Sequence, residues 1–282
     1  MKVVLKKLPL LLLAMIVVAS CNNEDVNFDE NEVISEEQVN AMDEVDLISE
    51  EVNGVVEDIY AADEIATISR SDYTSDYLPD CVTITRVITD TTKELTIEFA
   101  EGCELRNGNI VSGIIYLTYT KDMEAMSKEL TFSLENFVFN GVSVEGNSSI
   151  TRFRTNENGN PQSVAEARFE ATWPNGDTAS FNGTRTREWI EGYGSGTWGD
   201  NVFLITGNAT YTNRLGNTWK RTVITPLRRE LACRFIVSGV LEISRNGNAV
   251  SLDFGDGRCD NKAILTYPDG TTKEINLRRF RD

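Results

Sequence analysis

The sequence predicts an all-β protein, a large curved antiparallel hairpin meander of barrel-like or sandwich-like form, preceded by an acidic, partly helical stem. Two observations carry the β assignment. First, apolar and polar residues alternate: Leu130, Phe132 and Leu134 interleave with Thr131, Ser133 and Glu135, and Ala165, Ala167, Phe169, Ala171 and Trp173 with Glu166, Arg168, Glu170 and Thr172. A period of two places one set on a core face and the other in water. Second, short segments resemble one another. Val111–Thr118 (VSGIIYLT) matches Val237–Ser244 (VSGVLEIS), with weaker copies at Val144, Phe181 and Ile205, and the turn at Thr172–Thr178 (TWPNGDT) matches that at Thr266–Thr272 (TYPDGTT). The repeating object is a hairpin with a glycine inside one strand, and strand glycines mark bends, bulges or close backbone approach. Some ten to twelve such strands are expected, and a sheet of about that size must curl, split or close.

The β region runs from 81 to 282, the stem from 21 to 80, and a leader from 1 to 20. In the stem, Val45, Ile48, Val52, Val55, Val56 and Ile59 recur at spacings of three and four, which predicts an amphipathic helix over Met42–Tyr60. Neither Ser35 with Glu37 nor Ser49 with Glu51 makes a capping box. Such a helix is marginal alone and is expected to dock on something. The stem reads as a solvated spacer, with a partner helix or a cation-binding stem as the alternative. Residues 67–80 read as a linker.

The net charge of −17 is local. Residues 22–69 hold sixteen Asp and Glu and no Lys or Arg, and residues 70–282 carry only −4. No basic stripe is present, so nucleic acid is not an expected partner. The chain has no histidine, which removes Ser-His-Asp and Cys-His catalysis and His-ligated zinc.

The leader has the parts of a secretory signal: Lys2, Lys6 and Lys7, then the apolar run Leu8–Val18, too short to span a bilayer. Its end, Val18-Ala19-Ser20-Cys21, resembles the lipobox of bacterial lipoproteins. That resemblance implies acylation of Cys21 and a membrane partner through the lipid, since two or more acyl chains hold a protein durably. Asn22 after the cysteine implies, by the same resemblance, the outer membrane. Asn23-Glu24-Asp25 resembles the acidic surface-export signals of Bacteroidota lipoproteins, so the periplasmic face and the cell surface both remain open.

Four further cysteines allow three pairings. Opposed residues of an antiparallel pair have a constant sum. Cys81 and Cys103 centre on Thr92, in the turn-like Thr89–Lys93, and Cys233 and Cys259 centre on Asn246, in Arg245–Asn248. Two disulfides are predicted, 81–103 and 233–259, as an exported address permits.

Candidate sites are few. A short turn at WPNGD opposes Phe169 to Phe181 and Ala171 to Ala179, and the same face then carries Arg185, Arg187 and Trp189. The arginines could hold an acidic ligand; the preferred reading is structural, at the rim, paired with carboxylates or re-aimed by a bulge. Trp189, Tyr193, Trp198 and Phe203 crowd a Gly-rich loop and could stack on a sugar ring; the alternative is that they plug the end of the sheet. Asp253, Asp256, Asp260 and Asn261 could bind calcium but read as a turn. No metal site and no cofactor are expected. Glu170, Glu188 and Glu191 are carboxylates of the kind glycoside hydrolysis uses, and nothing singles out a pair.

From Cys81 to Arg279 the chain resembles uncharacterised outer-membrane lipoproteins of flavobacteria and related Bacteroidota. The residues that carry this are Asn140-Gly141, the WPNGDT turn, Thr184–Gly192 (TRTREWIEG), Thr225-Pro226-Leu227 and Phe254–Asn261 (FGDGRCDN). The resemblance implies an exported β-fold lipoprotein and supplies no catalytic residues. Asp90-Thr91-Thr92 and Asp177-Thr178-Ala179 also resemble the short O-glycosylation motif of Bacteroidota. The leading expectation is a non-enzymatic envelope or cell-surface β module of unknown ligand. The alternatives are a surface glycan-binding or adhesive module, with a glycan or protein partner, and a carboxylate-based hydrolase.

Overall fold

The computed structural model describes residues 33–69, 76–122 and 125–277. Cys21 and the leader lie outside these residues. The described residues form one compact unit. One helix, α1 (Glu36–Ser69), is followed by strands β1 (Val82–Ile88), β2 (Thr92–Glu104), β3 (Ile110–Thr120), β4 (Ser127–Phe139), β5 (Val142–Phe153), β6 (Gln162–Thr172) and β7 (Thr178–Glu191). A single 3-10 turn at Trp198–Asp200 leads to β8 (Val202–Asn213), β9 (Thr218–Glu230), β10 (Ile236–Arg245), β11 (Asn248–Asp256), β12 (Lys262–Thr266) and β13 (Thr272–Asn276). All thirteen strands form one antiparallel sheet in sequence order. The all-β meander expected from the alternation is the fold. It is an open sheet and not a closed barrel, because β1 and β13 each pair with one neighbour only.

Curvature follows from the burial of the helix. Every residue from Leu47 to Asn53 is buried, and seven consecutive residues point in all directions around a 3.6-residue turn. A helix lying on a flat sheet would leave one side in water. Here its contacts come from around the sheet: Ser148 of β5 touches Asn53, Arg185 of β7 touches Glu50, and Arg229 of β9 touches Glu51. The sheet therefore wraps the helix.

This corrects the expectation of a solvated spacer. Val45, Ile48, Val52, Val55, Val56 and Ile59 are all at most 4% exposed and pack in one cluster with Ile97, Ile115, Leu130 and Ile150. Each such side chain contributes about 1.5–3 kcal/mol when fully buried. The helix is also longer than the predicted Met42–Tyr60. Its start is set by a capping box that the sequence contains: Gln38 N donates to Ser35 Oγ (3.3 Å), and Ser35 N donates to Gln38 Oε1 (2.9 Å). The linker reading fails for Tyr77, which is 4% exposed and stacks on Trp198 with ring centroids 5.8 Å apart.

The repeated segments fall in strands β3, β5, β7, β8 and β10. Their glycines let neighbouring backbones approach. A Cβ on Gly146 would run into the Arg168 carbonyl, and one on Gly207 into the Thr184 carbonyl, with φ of +141° and +138°. The two matching turns share one pattern: Trp173 N donates to Asp177 O and Gly176 N to Trp173 O, as Tyr267 N does to Thr271 O and Gly270 N to Tyr267 O. Phe169 opposes Phe181 and Ala171 opposes Ala179, as the turn predicts.

Both disulfides form as expected, Cys81–Cys103 and Cys233–Cys259. The first does so with help. The β1–β2 register pairs Val82 with Phe99, which centres the hairpin near Asp90-Thr91 and not on Thr92. A bulge between Phe99 and Cys103, with Gly102 at φ +71°, takes up the difference.

The outward face is polar along a row traced strand by strand: Glu94, Thr118, Thr131, Ser149, Glu166, Thr184, Asn208, Thr222, Glu242, Ser251, Thr266 and Thr272. Lipid-facing sheets carry an apolar band instead. Because α1 fills the concave face, a chain beginning at residue 33 is expected to unfold in urea in one cooperative transition. A chain beginning at residue 76 is expected to bind the dye ANS and to show no cooperative transition; a sharp transition there would contradict the packing described.

Candidate functional site

The densest chemistry lies between α1 and the sheet. The helix carries eleven Asp and Glu and no Lys or Arg. Asp46, Glu50, Asn53, Glu57 and Glu64 fall at spacings of three, four and seven, so they form a polar stripe along one side. That stripe faces inward. Arg185 Nη2 lies 2.5 Å from Asp46 Oδ1 and its Nη1 lies 3.1 Å from Glu50 Oε2. Arg187 Nε lies 3.3 Å from Glu50 Oε1, and its Nη1 3.6 Å from Glu57 Oε2. Arg221 reaches Asp46 at 3.0 Å, Arg229 reaches Glu51 at 3.1 Å and Arg152 reaches Glu64 at 3.3 Å. The Glu50 oxygens make no aligned hydrogen bond despite these distances, so charge rather than hydrogen bonding holds that carboxylate.

Local sequence makes room for this layer. Gly54 sits in the helix interior, where it costs about 1 kcal/mol against Ala. A Cβ there would lie 3.3 Å from Arg187 Nη1. Arg187 also lies over the Phe203 ring, 3.7 Å from its centroid, which suits a guanidinium plane.

The environment moves several protons. Burial pushes Glu57 up from the ordinary carboxylate range, opposed by Arg187, Arg152 and a hydrogen bond from Ser163. At Asp63 burial pushes upward too, but hydrogen bonds from Lys93 and Tyr119 outweigh it and the net shift is down. Those contacts are 2.7 Å and 2.6 Å long.

The predicted ligand residues are therefore used internally. Arg185 and Arg187 are 7% and 5% exposed and paired with helix carboxylates, which is the structural reading of that pair. Trp189 is buried, and its Nε1 donates to Glu191 O and Asn201 Oδ1. Its ring centroid lies 5.0 Å from those of Tyr193 and Phe203. The Tyr193 hydroxyl donates to Glu64 Oε2 at 2.9 Å. Trp198 is buried against Tyr77. The loop turns its tryptophans inward and keeps Tyr193 half-buried; it closes over the helix, with a void of about 20 Å³ left beside Gly54, Tyr77 and Arg187, room for about one water.

The other candidates are taken up elsewhere. Asp253 accepts from Gly255 N and Asp260 from Lys262 N, and Asp256 pairs with Arg258 at 3.5 Å. Glu188 accepts from Asn158 and Asn160 at 2.9 Å, and hydrogen bonds from Asn156, Asn160 and Asn158 hold its carboxyl below the usual range. Glu191 pairs with Arg228. Among the described residues no three acids or cysteines gather as a metal site would require.

Sequence reasoning missed Arg152, Arg221 and Arg229, and the inward direction of the helix acids. A faint signal exists: Arg152 and Arg221 share strand parity with buried apolar neighbours, Ile150 and Trp219.

Two outcomes are expected. Arg187→Ala removes the ion pair of Glu57 and leaves Glu50 with Arg185 alone, and should lower unfolding stability by about 3–5 kcal/mol in urea titrations. Asp63→Asn should cost about 1 kcal/mol at pH 7, since the Lys93 pair is partly exposed. The Asp63 value is depressed in the folded state, so its contribution is present above the usual 3.8 and lost as pH falls through the folded value. The gap between wild type and Asp63→Asn should therefore close below about pH 3.8, read from urea midpoints across pH.

No family model matches the chain, and no curated protein and no solved structure matches it.

Proposed function

We propose that the protein is a lipid-anchored, non-enzymatic β module of the outer membrane, displayed on its periplasmic face or at the cell surface. The observation that carries the reading is the place of α1. The residues the sequence offered for chemistry, Arg185, Arg187 and the aromatic loop, are spent on holding the helix inside the sheet. The Cys81–Cys103 and Cys233–Cys259 disulfides suit an oxidising compartment. The lipobox-like Val18–Cys21 supplies the membrane partner.

Because α1 belongs to the β unit, the tether is short. Cys21 and Glu36 are fifteen residues apart, which at full extension reaches about 50 Å. The module is held near the bilayer, with its polar outward face in water.

Feeding cells alkyne-palmitate and probing the purified protein tests the anchor. Wild type should be labelled and sediment with membranes; Cys21→Ala should lose the label and leave the membrane pellet. An unlabelled wild type, or a Cys21→Ala variant that stays membrane-bound, would refute the proposal.

A further inference from the structure

A second cleft lies where α1 meets the tips of the β6–β7 and β8–β9 hairpins. It has a volume of about 460 Å³, within the range of small-ligand sites. Its walls combine two kinds of group. Trp173 and Tyr211 are half-buried, so each ring packs on the core by part of its surface and meets the cleft with the rest. Between and beside them stand Glu44, Asp177, Asn213 and Arg214.

The hairpin tips are pre-organised. Asp177 N donates to Asn175 Oδ1 and Asn175 Nδ2 donates to Asp177 Oδ2 (2.8 Å), which fixes the Asp177 carboxylate. Asn213 Oδ1 accepts from Leu215 N and Asn217 N at 3.0 Å, which orients its amide. Arg214 Nε lies 3.4 Å from Asp177 Oδ1 across the cleft, and both are more than half exposed. The Tyr211 hydroxyl makes no hydrogen bond among the described residues. Burial, with Glu44 and Asp177 nearby, pushes it up to about 12, so it is a protonated donor at neutral pH.

We propose that this cleft binds a neutral saccharide. Aromatic faces stack on the apolar C–H face of a pyranose. Carboxylate, amide, phenol and guanidinium groups side by side satisfy hydroxyls, each of which both donates and accepts. The other ligand classes fit worse. Glu44 and Asp177 repel an anion, Arg214 already occupies the Asp177 carboxylate that a cation would need, and an apolar ligand would strip water from four charged or amide groups without replacing their hydrogen bonds. The site differs from the Gly-rich aromatic loop, whose tryptophans are buried, and its existence does not depend on the lipid anchor.

The whole chain, purified in detergent micelles, is titrated with cellohexaose, xylohexaose, mannohexaose and maltohexaose, following tryptophan fluorescence and heat. At least one should bind. Trp173→Ala and Tyr211→Ala should each weaken it about tenfold or more. Asp177→Asn, an exposed change that leaves the core intact, should weaken it as well, and all three variants are compared after thermal unfolding shows them folded. No binding by any of the four, or binding that survives both Trp173→Ala and Asp177→Asn, overturns the proposal. A response to calcium chloride alone overturns it also.

Discussion

The structure depends on the burial of a helix whose charged residues are all acidic inside a sheet whose arginines face them. Alone, α1 would be poor: Asp46 and Glu50 repel at i,i+4 and Asp43 and Asp46 at i,i+3, and no basic residue of the helix relieves them. Docked, the same charges meet Arg185, Arg187, Arg221, Arg229 and Arg152. Desolvating so many ions costs several kcal/mol each, and their mutual attraction roughly returns it. The net stabilisation therefore comes from the apolar side, where Val45 to Ile59 meet β2 to β5. The charges decide position. Turning the helix by one residue, about 100°, would aim Glu50 and Glu57 away from Arg187.

The same arrangement explains three features that look unrelated. Gly54 sits in the helix interior where a Cβ would crowd the Arg187 guanidinium. The aromatic loop after β7 folds inward because Glu64 offers an acceptor to Tyr193, and Arg152 lies over both the Tyr193 and Trp189 rings. The outward face keeps a polar row across the sheet because the inward face already holds the core. The surfaces left for other molecules are then the convex face, the two sheet edges and the hairpin tips.

Much of the architecture was legible in the chain. Alternation from Leu130 to Trp173 shows one buried face, since a half-buried strand has no other way to satisfy a period of two. The strand glycines and the two WPNGD-like turns mark bends and hairpin ends by local backbone geometry. The cysteine sums work because antiparallel register is linear, and they tolerate the bulge at Gly102 because it moves the register by few residues. Ser35-x-x-Gln38 was equally readable as a helix start. The candidate site was legible only in part: Arg185, Arg187 and Trp189 were found on one inward face, and Trp189, Tyr193 and Trp198 were found clustered, but not what they meet.

What the sequence determined by itself is local: strand alternation, turns, the helix's apolar stripe and the hairpin disulfides. These depend on neighbours within about thirty residues. Only the tertiary structure decided that the acidic segment is core rather than spacer. An Asp or Glu between apolar residues reads as solvent-facing unless its partner is known. Here the partners, Arg185 to Asp46 and Arg229 to Glu51, lie 139 and 178 residues away in the chain. Nothing in either segment alone encodes that pairing; it exists only when thirteen strands curl and bring their arginines around one helix.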